Sequence, residues 1–193
     1  MRNLYRKSKN ILFLGYGAEE TILIGLLESR GCLVDHSTEK NIDPTNYSLI
    51  VSFGYRYILS EEFISKAPPI VNLHISFLPF NRGSHPNFWS HSEGSPSGVT
   101  IHLIDKGVDT GPYLFQKEVS IDKNKLTFRE SRQILLNEIE ALFIHNIDEI
   151  LDLDFRLNYY SEIGTYHSSS ELPQQVDWDN LIFDQLNKLE GEE

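Results

Sequence analysis

Short apolar runs alternate with stretches of helical periodicity from residue 11 to about residue 151. Ile11 to Leu14 is continuous and closed by glycines, as expected of a parallel strand buried on both faces. Glu19 to Arg30 repeats apolar residues at helical spacing through Ile22, Leu23, Leu26 and Leu27, with Gly31 placed to end the helix. Cys32 to His36 and Leu49 to Phe53 read as the next strands. Ser60 can cap a short helix through Ala67, with Glu61 and Glu62 favourable at its positive end. Pro68 and Pro69 impose extended backbone before a strand from Ile70. Phe88 to His91 reads as a helical turn, and Val99 to Ile104 and Tyr113 to Ile121 as strands joined by a Gly-rich loop. Thr127 and Glu130 form a capping-box pattern. It opens a long helix to about Leu151, with Ile134, Leu135, Ile139, Leu142, Phe143 and Ile147 as its buried stripe. The sum is an α/β fold with a mainly parallel sheet flanked by helices, then a β-pair, a long helix and a short tail.

After Leu157 the composition changes. Ser168-Ser169-Ser170 and Pro173-Gln174-Gln175 read as loop. Trp178 to Leu189 reads as a last helix with Trp178, Leu181, Ile182, Leu186 and Leu189 inward, and Glu190 to Glu193 as a frayed acidic end. Residues 1–157 are therefore taken as one domain and 158–193 as a tail that packs on it and borders the site. A 193-residue chain with 40% hydrophobic residues suits a single core. The net charge of −11 argues against bulk nucleic-acid binding. Cys32 stands alone, so no internal disulfide forms, which fits a reducing compartment. No apolar run approaches the ~20 residues of a membrane span. The basic start at Arg2, Arg6, Lys7 and Lys9 is followed by too short an apolar segment for a secretory leader. A soluble cytoplasmic protein is expected.

The strand from Ile70 carries the first chemical signal. Residues two apart share a face, so Asn72, His74 and Ser76 lie on one side, and Val71, Leu73, Ile75 and Phe77 on the other. The Cβ atoms of Asn72 and His74 are then roughly 6–7 Å apart, room for one small reacting group between their tips. Pro79 ends the strand close by, and ligands of open parallel sheets bind outside the carboxyl ends of strands. A core amide and imidazole, each satisfied by backbone, are the plain alternative. Two polar side chains on one face of an apolar strand are costly to bury without partners, and that favours a functional reading. Asp109 sits in a glycine-bounded loop, where an aspartate is also an ordinary turn residue; Asp105, beside Lys106, fits that plain role better. If Asp109 meets His74, it orients the imidazole and stabilises its protonated form.

Two other motifs compete. Gly15-Tyr16-Gly17-Ala18-Glu19-Glu20 starts like a dinucleotide fingerprint, with Asp35 where a ribose-binding acid belongs. Glu20 replaces its third glycine, and two glutamates at the helix start oppose a pyrophosphate. The glycines are expected only to make a tight turn. His74, His85, His91 and His102 lack metal-ligand spacing, and no metal is expected.

Asn72-Leu73-His74-Ile75-Ser76-Phe77-Leu78-Pro79, then Gly83, then Gly98-Val99-Thr100-Ile101-His102, then Asp109-Thr110-Gly111, resemble the 10-formyltetrahydrofolate-dependent formyltransferases. That family includes glycinamide ribonucleotide transformylase, methionyl-tRNA formyltransferase and the sugar N-formyltransferases. The resemblance is strong from about Leu49 to Glu118 and implies a Rossmann-like formyltransferase fold. It implies a catalytic trio of Asn72, His74 and Asp109. Asn72 donates to the oxygen that gains charge, His74 polarises the carbonyl or carries the amine proton, and Asp109 raises the His74 pKa. It implies 10-formyltetrahydrofolate as formyl donor, held by the segment around Tyr57, Ile58 and Leu59 on one side and by Val108 and Asp109 on the other.

For the acceptor, Asn81 to Trp89 and Gly164-Thr165-Tyr166-His167 resemble the short sugar N-formyltransferases. Phe88 and Trp89 are then expected to stack on a sugar or base and Arg82 to meet a phosphate. The partner expected is a small-molecule amine, a nucleotide sugar first, above all a UDP-linked 4-amino-4,6-dideoxy sugar of a surface-glycan route. Nucleic acid and membrane are excluded as partners, and a homodimer is kept open. Transfer RNA is disfavoured by the charge and by only about 40 residues after the long helix. The alternatives are glycinamide ribonucleotide formylation, a peptide-synthetase-like formylation domain, and a folate- or nucleotide-binding module without turnover.

Overall fold

The computed structural model describes residues 8–191, so Arg2, Arg6, Lys7 and the last two glutamates lie outside the described residues. In chain order the elements are β1 (Asn10–Gly15), α1 (Leu23–Ser29), β2 (Leu33–Ser37), β3 (Leu49–Phe53), α2 (Glu61–Lys66), β4 (Ile70–His74) and β5 (Arg82–Gly83). They continue as α3 (Pro86–Ser92), β6 (Gly98–Leu103), β7 (Tyr113–Glu118), α4 (Phe128–His145), α5 (Ile147–Asp152), β8 (Tyr166–His167) and α6 (Ile182–Glu190). Six strands form one sheet in the order β2-β1-β3-β4-β6-β7. The first four are parallel; β6 runs antiparallel to β4, and β7 antiparallel to β6. This is the mainly parallel α/β sheet read from the sequence.

The odd-numbered residues of the central strands, among them Phe13, Val51, Leu73 and Ile101, face α1, α4 and α5 and bury against Leu27, Leu135, Ile139 and Phe143. The even-numbered face is apolar at Leu12, Leu14, Ile50 and Ile70, where α2 and Leu59 cover it. Further along it turns polar: Ser52, Asn72 and His102 are neighbours in register across β3, β4 and β6. A third cluster joins Phe88, Phe128 and Ile182, so α6 packs on α3 and α4.

Several boundaries depart from the periodicity. Helix α1 starts at Leu23 rather than Glu19, because residues 17–21 close on themselves. The Gly17 carbonyl accepts from the Glu20 and Thr21 amides, and the Gly17 amide donates to Glu20 Oε2 at 3.0 Å. Ile22, counted in the apolar stripe, is consequently 64% exposed. The long helix breaks at Asn146, whose side-chain amide donates to the Leu142 carbonyl at 2.8 Å, a local bond that competes with the helical ladder. The last helix begins at Ile182, not Trp178, because the Ile182 amide donates to the Leu126 carbonyl and fixes the approach. Ser60 and Thr127 cap α2 and α4 as their patterns indicate, with both halves of the Thr127–Glu130 capping box formed.

Candidate active site

Strand β4 ends at His74, so Ser76 does not continue its polar face; Ser76 Oγ instead donates to the Phe80 carbonyl at 2.7 Å. The loop beyond is pinned by buried Thr100, whose Oγ1 donates to the Ser76 carbonyl (2.7 Å) and accepts from the Leu78 amide (3.1 Å). Asn72 lies in mid-strand, beside His102 on β6. His102 Nδ1 donates to the Leu103 carbonyl at 2.9 Å, which leaves Nε2 as an acceptor for Asn72 Nδ2 at 3.0 Å. One amide hydrogen of Asn72 is thereby used to orient the side chain, and the other is available to a ligand oxygen.

Asp109 reaches this row from the loop between β6 and β7. Its backbone takes a left-handed conformation, φ 52°, sparsely populated for residues other than glycine. Oδ2 accepts from the Gly83 amide at 2.9 Å and stands 3.7 Å from His74 Nε2, while Oδ1 stands 3.5 Å from His102 Nε2. Asp105 does the turn's local work, accepting from the Gly107 amide and from Thr110 Oγ1. His74 Nε2 is buried with no hydrogen-bond partner.

Burial drives the His74 pKa below its ordinary value; Asp109 pulls it up, His102 pushes it down and a bond at the Asn81 backbone raises it, but burial prevails. Asp109 thus lifts this pKa as expected, but the carboxylate offsets only part of the desolvation, so the net shift is downward. Burial likewise acts to raise Asp109, yet the His74 and His102 rings and the Gly83 amide outweigh it and hold the acid below the usual carboxylate range. The resting pair is a neutral imidazole beside an ionised carboxylate. Behind it, Tyr160 has a buried hydroxyl without a partner. Its pKa is raised by burial first and by the Asp109 charge next.

The row opens into a cavity of about 340 Å³ lined by Asn72, His74, His102 and Asp109 together with Tyr57, Ile58, Leu59 and Val108. Gly83, Ser84, Pro86 and Tyr166 line it as well. Ile58 is 82% exposed at its rim, and Lys40 Nζ lies 4.5 Å from the centre of the Tyr57 ring. Among the described residues, none of 55–59 makes a backbone-to-backbone hydrogen bond. Backbone donors and acceptors are obligatory bonding groups, so this segment suits the hydrogen-bonding edge of a heteroaromatic ring.

The two aromatic stacking expectations fail on packing. Phe88 is 2% exposed and packs on Phe128 and Trp178, which leaves no ring face for a ligand. Trp89 stacks on His167 at 4.0 Å and lies outside the cavity lining. Arg82 is also absent from the lining and donates through Nε to the Thr165 carbonyl at 3.2 Å. His102, Gly83 and Tyr166, quoted in the sequence motifs but given no role there, also line the cavity. His102 was visible as a polar residue at an alternate position of an apolar strand, the same signal that singled out Asn72. At the other loop, a Cβ on Gly15 would fall 2.1 Å from the Phe53 carbonyl oxygen, so that glycine serves close strand packing, and Glu20 already occupies the Gly17 amide. Among the described residues no group of three or more His, Cys, Asp or Glu is placed to hold a metal, and no helix is long and apolar enough to cross a membrane.

A neutral imidazole, an ionised carboxylate and an oriented amide thus surround one ligand-sized cavity, a set of groups chemically suited to acyl transfer. The chain belongs to the formyl transferase family, whose pattern matches residues 13–146. It is 32% identical over 157 residues to the methionyl-tRNA formyltransferase of Clostridium perfringens, covering 79% of this chain and 49% of that protein. It is 29% identical over 136 residues to the GDP-perosamine N-formyltransferase of Brucella melitensis, covering 69% and 50% respectively. The chain thus spans about half the length, or less, of the curated relatives it matches. Among solved structures it resembles the formyltransferase PseJ from Anoxybacillus kamchatkensis, in complex with UDP-4,6-dideoxy-4-formamido-L-AltNAc and tetrahydrofolate. The TM-score is 0.81 and the identity 34%, over 93% of this chain and 98% of that one. A 4-N formyltransferase from Francisella tularensis shares the fold, with TM-score 0.74 at 20% identity over 92% and 87%.

Proposed function

We propose that this protein transfers the formyl group of 10-formyltetrahydrofolate to the primary amine of a nucleotide-linked amino sugar, a UDP-linked 4-amino-4,6-dideoxy sugar being the first candidate. The observation that carries the chemistry is His74 Nε2, buried, without a partner and 3.7 Å from Asp109. A polar atom left in that state costs free energy unless a ligand completes it. The bound folate supplies an activated formyl group. Residues 55–59 hold its ring edge through their backbone, with Leu59 and Val108 packing the faces. Asn72 donates its second amide hydrogen to the formyl oxygen as negative charge gathers there; one such donor is typically worth ~3–4 kcal/mol. His74, neutral at rest, takes the proton that the attacking amine releases, and Asp109 balances the imidazolium charge. As the tetrahedral centre collapses, the bond from the formyl carbon to the folate nitrogen breaks and the imidazolium returns the proton to that nitrogen, releasing tetrahydrofolate and the formamide.

The nucleotide sugar is supported by the likeness to PseJ, which extends over nearly the whole of both chains. Glycinamide ribonucleotide is disfavoured because Glu20 sits on the Gly17 amide where a phosphate would bind. Methionyl-tRNA, suggested by the curated relatives, is disfavoured by the net charge of −11. The test is incubation with 10-formyltetrahydrofolate and a panel of nucleotide amino sugars, glycinamide ribonucleotide and aminoacylated tRNA, read by mass spectrometry. A gain of one formyl group on a nucleotide amino sugar is expected. A gain on either of the other acceptors alone would overturn the assignment.

A further inference from the structure

The chain beyond α5 returns to the site and fastens there. A Cβ on Gly164 would lie 1.7 Å from the Pro79 carbonyl oxygen, so the two backbones touch. Thr165 Oγ1 accepts from the Asn81 amide at 2.8 Å, and its carbonyl accepts from the Arg82 amide at 3.0 Å. The Ser84 amide donates to the His167 carbonyl at 2.9 Å, which completes the parallel pair β5–β8. His167 is held on three sides: its ring stacks on Trp89, Nε2 is 2.9 Å from Glu93 Oε1, and Nδ1 is 3.2 Å from Glu171 Oε2. Both neighbours of Tyr166 are therefore fixed, while Tyr166 itself is 50% exposed and lines the cavity.

Gly83 measures how near that ring is to the chemistry. A Cβ there would meet Tyr166 Cε2 at 2.9 Å, and the Gly83 amide donates to Asp109 Oδ2 at 2.9 Å. The Tyr166 ring thus stands one residue's width from the catalytic carboxylate. At that distance it can cover only the part of an acceptor that bears the amine, not a base two phosphates away.

We propose that Tyr166 is an acceptor-binding residue whose ring packs on the sugar that carries the reacting amine. The inference rests on the nucleotide-sugar reading above and adds the residue that reads the sugar. A dideoxy sugar offers a methyl group and a face of C–H bonds, apolar surface that an aromatic ring covers well. Because the tail holds the ring's backbone in place, little ordering cost is left for binding. The family pattern ends at residue 146, so Tyr166 lies outside the stretch it describes.

Tyr166→Ala and Tyr166→Phe are compared with the wild type in steady-state transfer from 10-formyltetrahydrofolate to the UDP-linked 4-amino-4,6-dideoxy sugar. The Ala variant is expected to raise the acceptor KM by ~3–10-fold, the range an aromatic contact supplies, with kcat and the donor KM little changed. The Phe variant keeps the ring and is expected to behave as wild type. Calorimetric binding of the formylated nucleotide sugar should weaken by the same factor in the Ala variant. An unchanged acceptor KM in Tyr166→Ala overturns the proposal, and so does a fall in kcat alone, since that marks a tail that only positions Asp109. If the Ala variant fails to fold, Tyr166→Leu takes its place with the same two outcomes. Should the wild type formylate a different amine and no nucleotide sugar, the functional reading falls by itself; an acceptor KM for that amine unmoved by Tyr166→Ala would then remove this role too.

Discussion

Replacing Asp109 by Asn tests the electrostatic design of the site most directly. The change keeps an oxygen for the Gly83 amide and removes one negative charge 3.7 Å from His74 Nε2. At that separation and an effective dielectric near 20, the charge is worth about 4 kcal/mol to a protonated imidazole. Even a third of this is about one pKa unit. Burial already holds His74 below its ordinary value with Asp109 pulling the other way, so its loss must lower the pKa further. Two effects then separate. In initial rates of formyl transfer between about pH 4.5 and 8.5, the wild type should lose activity only below the ordinary histidine value of ~6.5. The variant's acid limb should move to lower pH by about one unit or more, while its plateau falls ~10²–10⁴-fold because the imidazolium loses its counter-charge. The folded state should survive, since a neutral amide is easier to bury than a carboxylate; thermal melting checks that. An acid limb that stays put or moves up, or a plateau within tenfold of wild type, would refute the pairing of His74 with Asp109.

Asn72→Ala should cost ~10²–10³-fold in kcat with the donor KM nearly unchanged, because its free amide hydrogen acts on developing charge rather than on ground-state binding; a loss confined to KM would contradict this. Gly164→Ala forces a Cβ to 1.7 Å from the Pro79 carbonyl oxygen and should destabilise by about 2 kcal/mol. That corresponds to a melting point lowered by roughly 4–8 °C in calorimetry, and an unchanged melt would show that the tail is not seated there. His91 is half-buried against Phe128 with its Nε2 buried and unpartnered, and burial first, then Lys123, lowers its pKa to about 4. As pH falls below ~6.5 the unfolded chain takes the proton first and the folded one only near 4. Stability on the order of 2–3 kcal/mol should therefore drain across that window. Urea melts at both ends should show the drop shrinking in His91→Phe; an equal drop in the variant would clear His91 of the effect.

What the sequence disclosed was local. The Thr127–Glu130 capping box, the Ser60 cap and the alternation that set Asn72 and His74 on one face involve residues within a few positions of each other. What it hid needed partners far along the chain. His102 acquires its role by standing opposite Asn72 in an antiparallel register, which no single strand announces. Phe88 and Trp89 look like stacking surfaces until α6 and His167 cover them. The break at Asn146 hides under an apolar stripe that runs on to Ile147, since a side chain bonding its own helix leaves the stripe intact. The low pKa of His74 is of the same kind. A nearby acid is legible as a motif, whereas the desolvation that outweighs it depends on the whole fold.

The polar row and the tail divide the site's tasks along the chain. Asn72, His74, His102 and Asp109 fall inside the stretch that matches the family, and in the proposed reaction the work falls on the formyl carbon and the amine hydrogens, groups common to every acceptor. Tyr166 and the Thr165–His167 backbone lie beyond it. The two parts meet at Gly83, which bonds Asp109 through its amide and admits β8 through its missing side chain. Its φ of +89° already disfavours any other residue. A side chain there would strike the His167 carbonyl at 2.3 Å and displace the tail, and the amide that steadies the carboxylate would move with it. On the proposed roles, substitution at Gly83 should therefore disturb acceptor recognition and catalysis together, whereas substitution at Tyr166 should alter acceptor recognition alone.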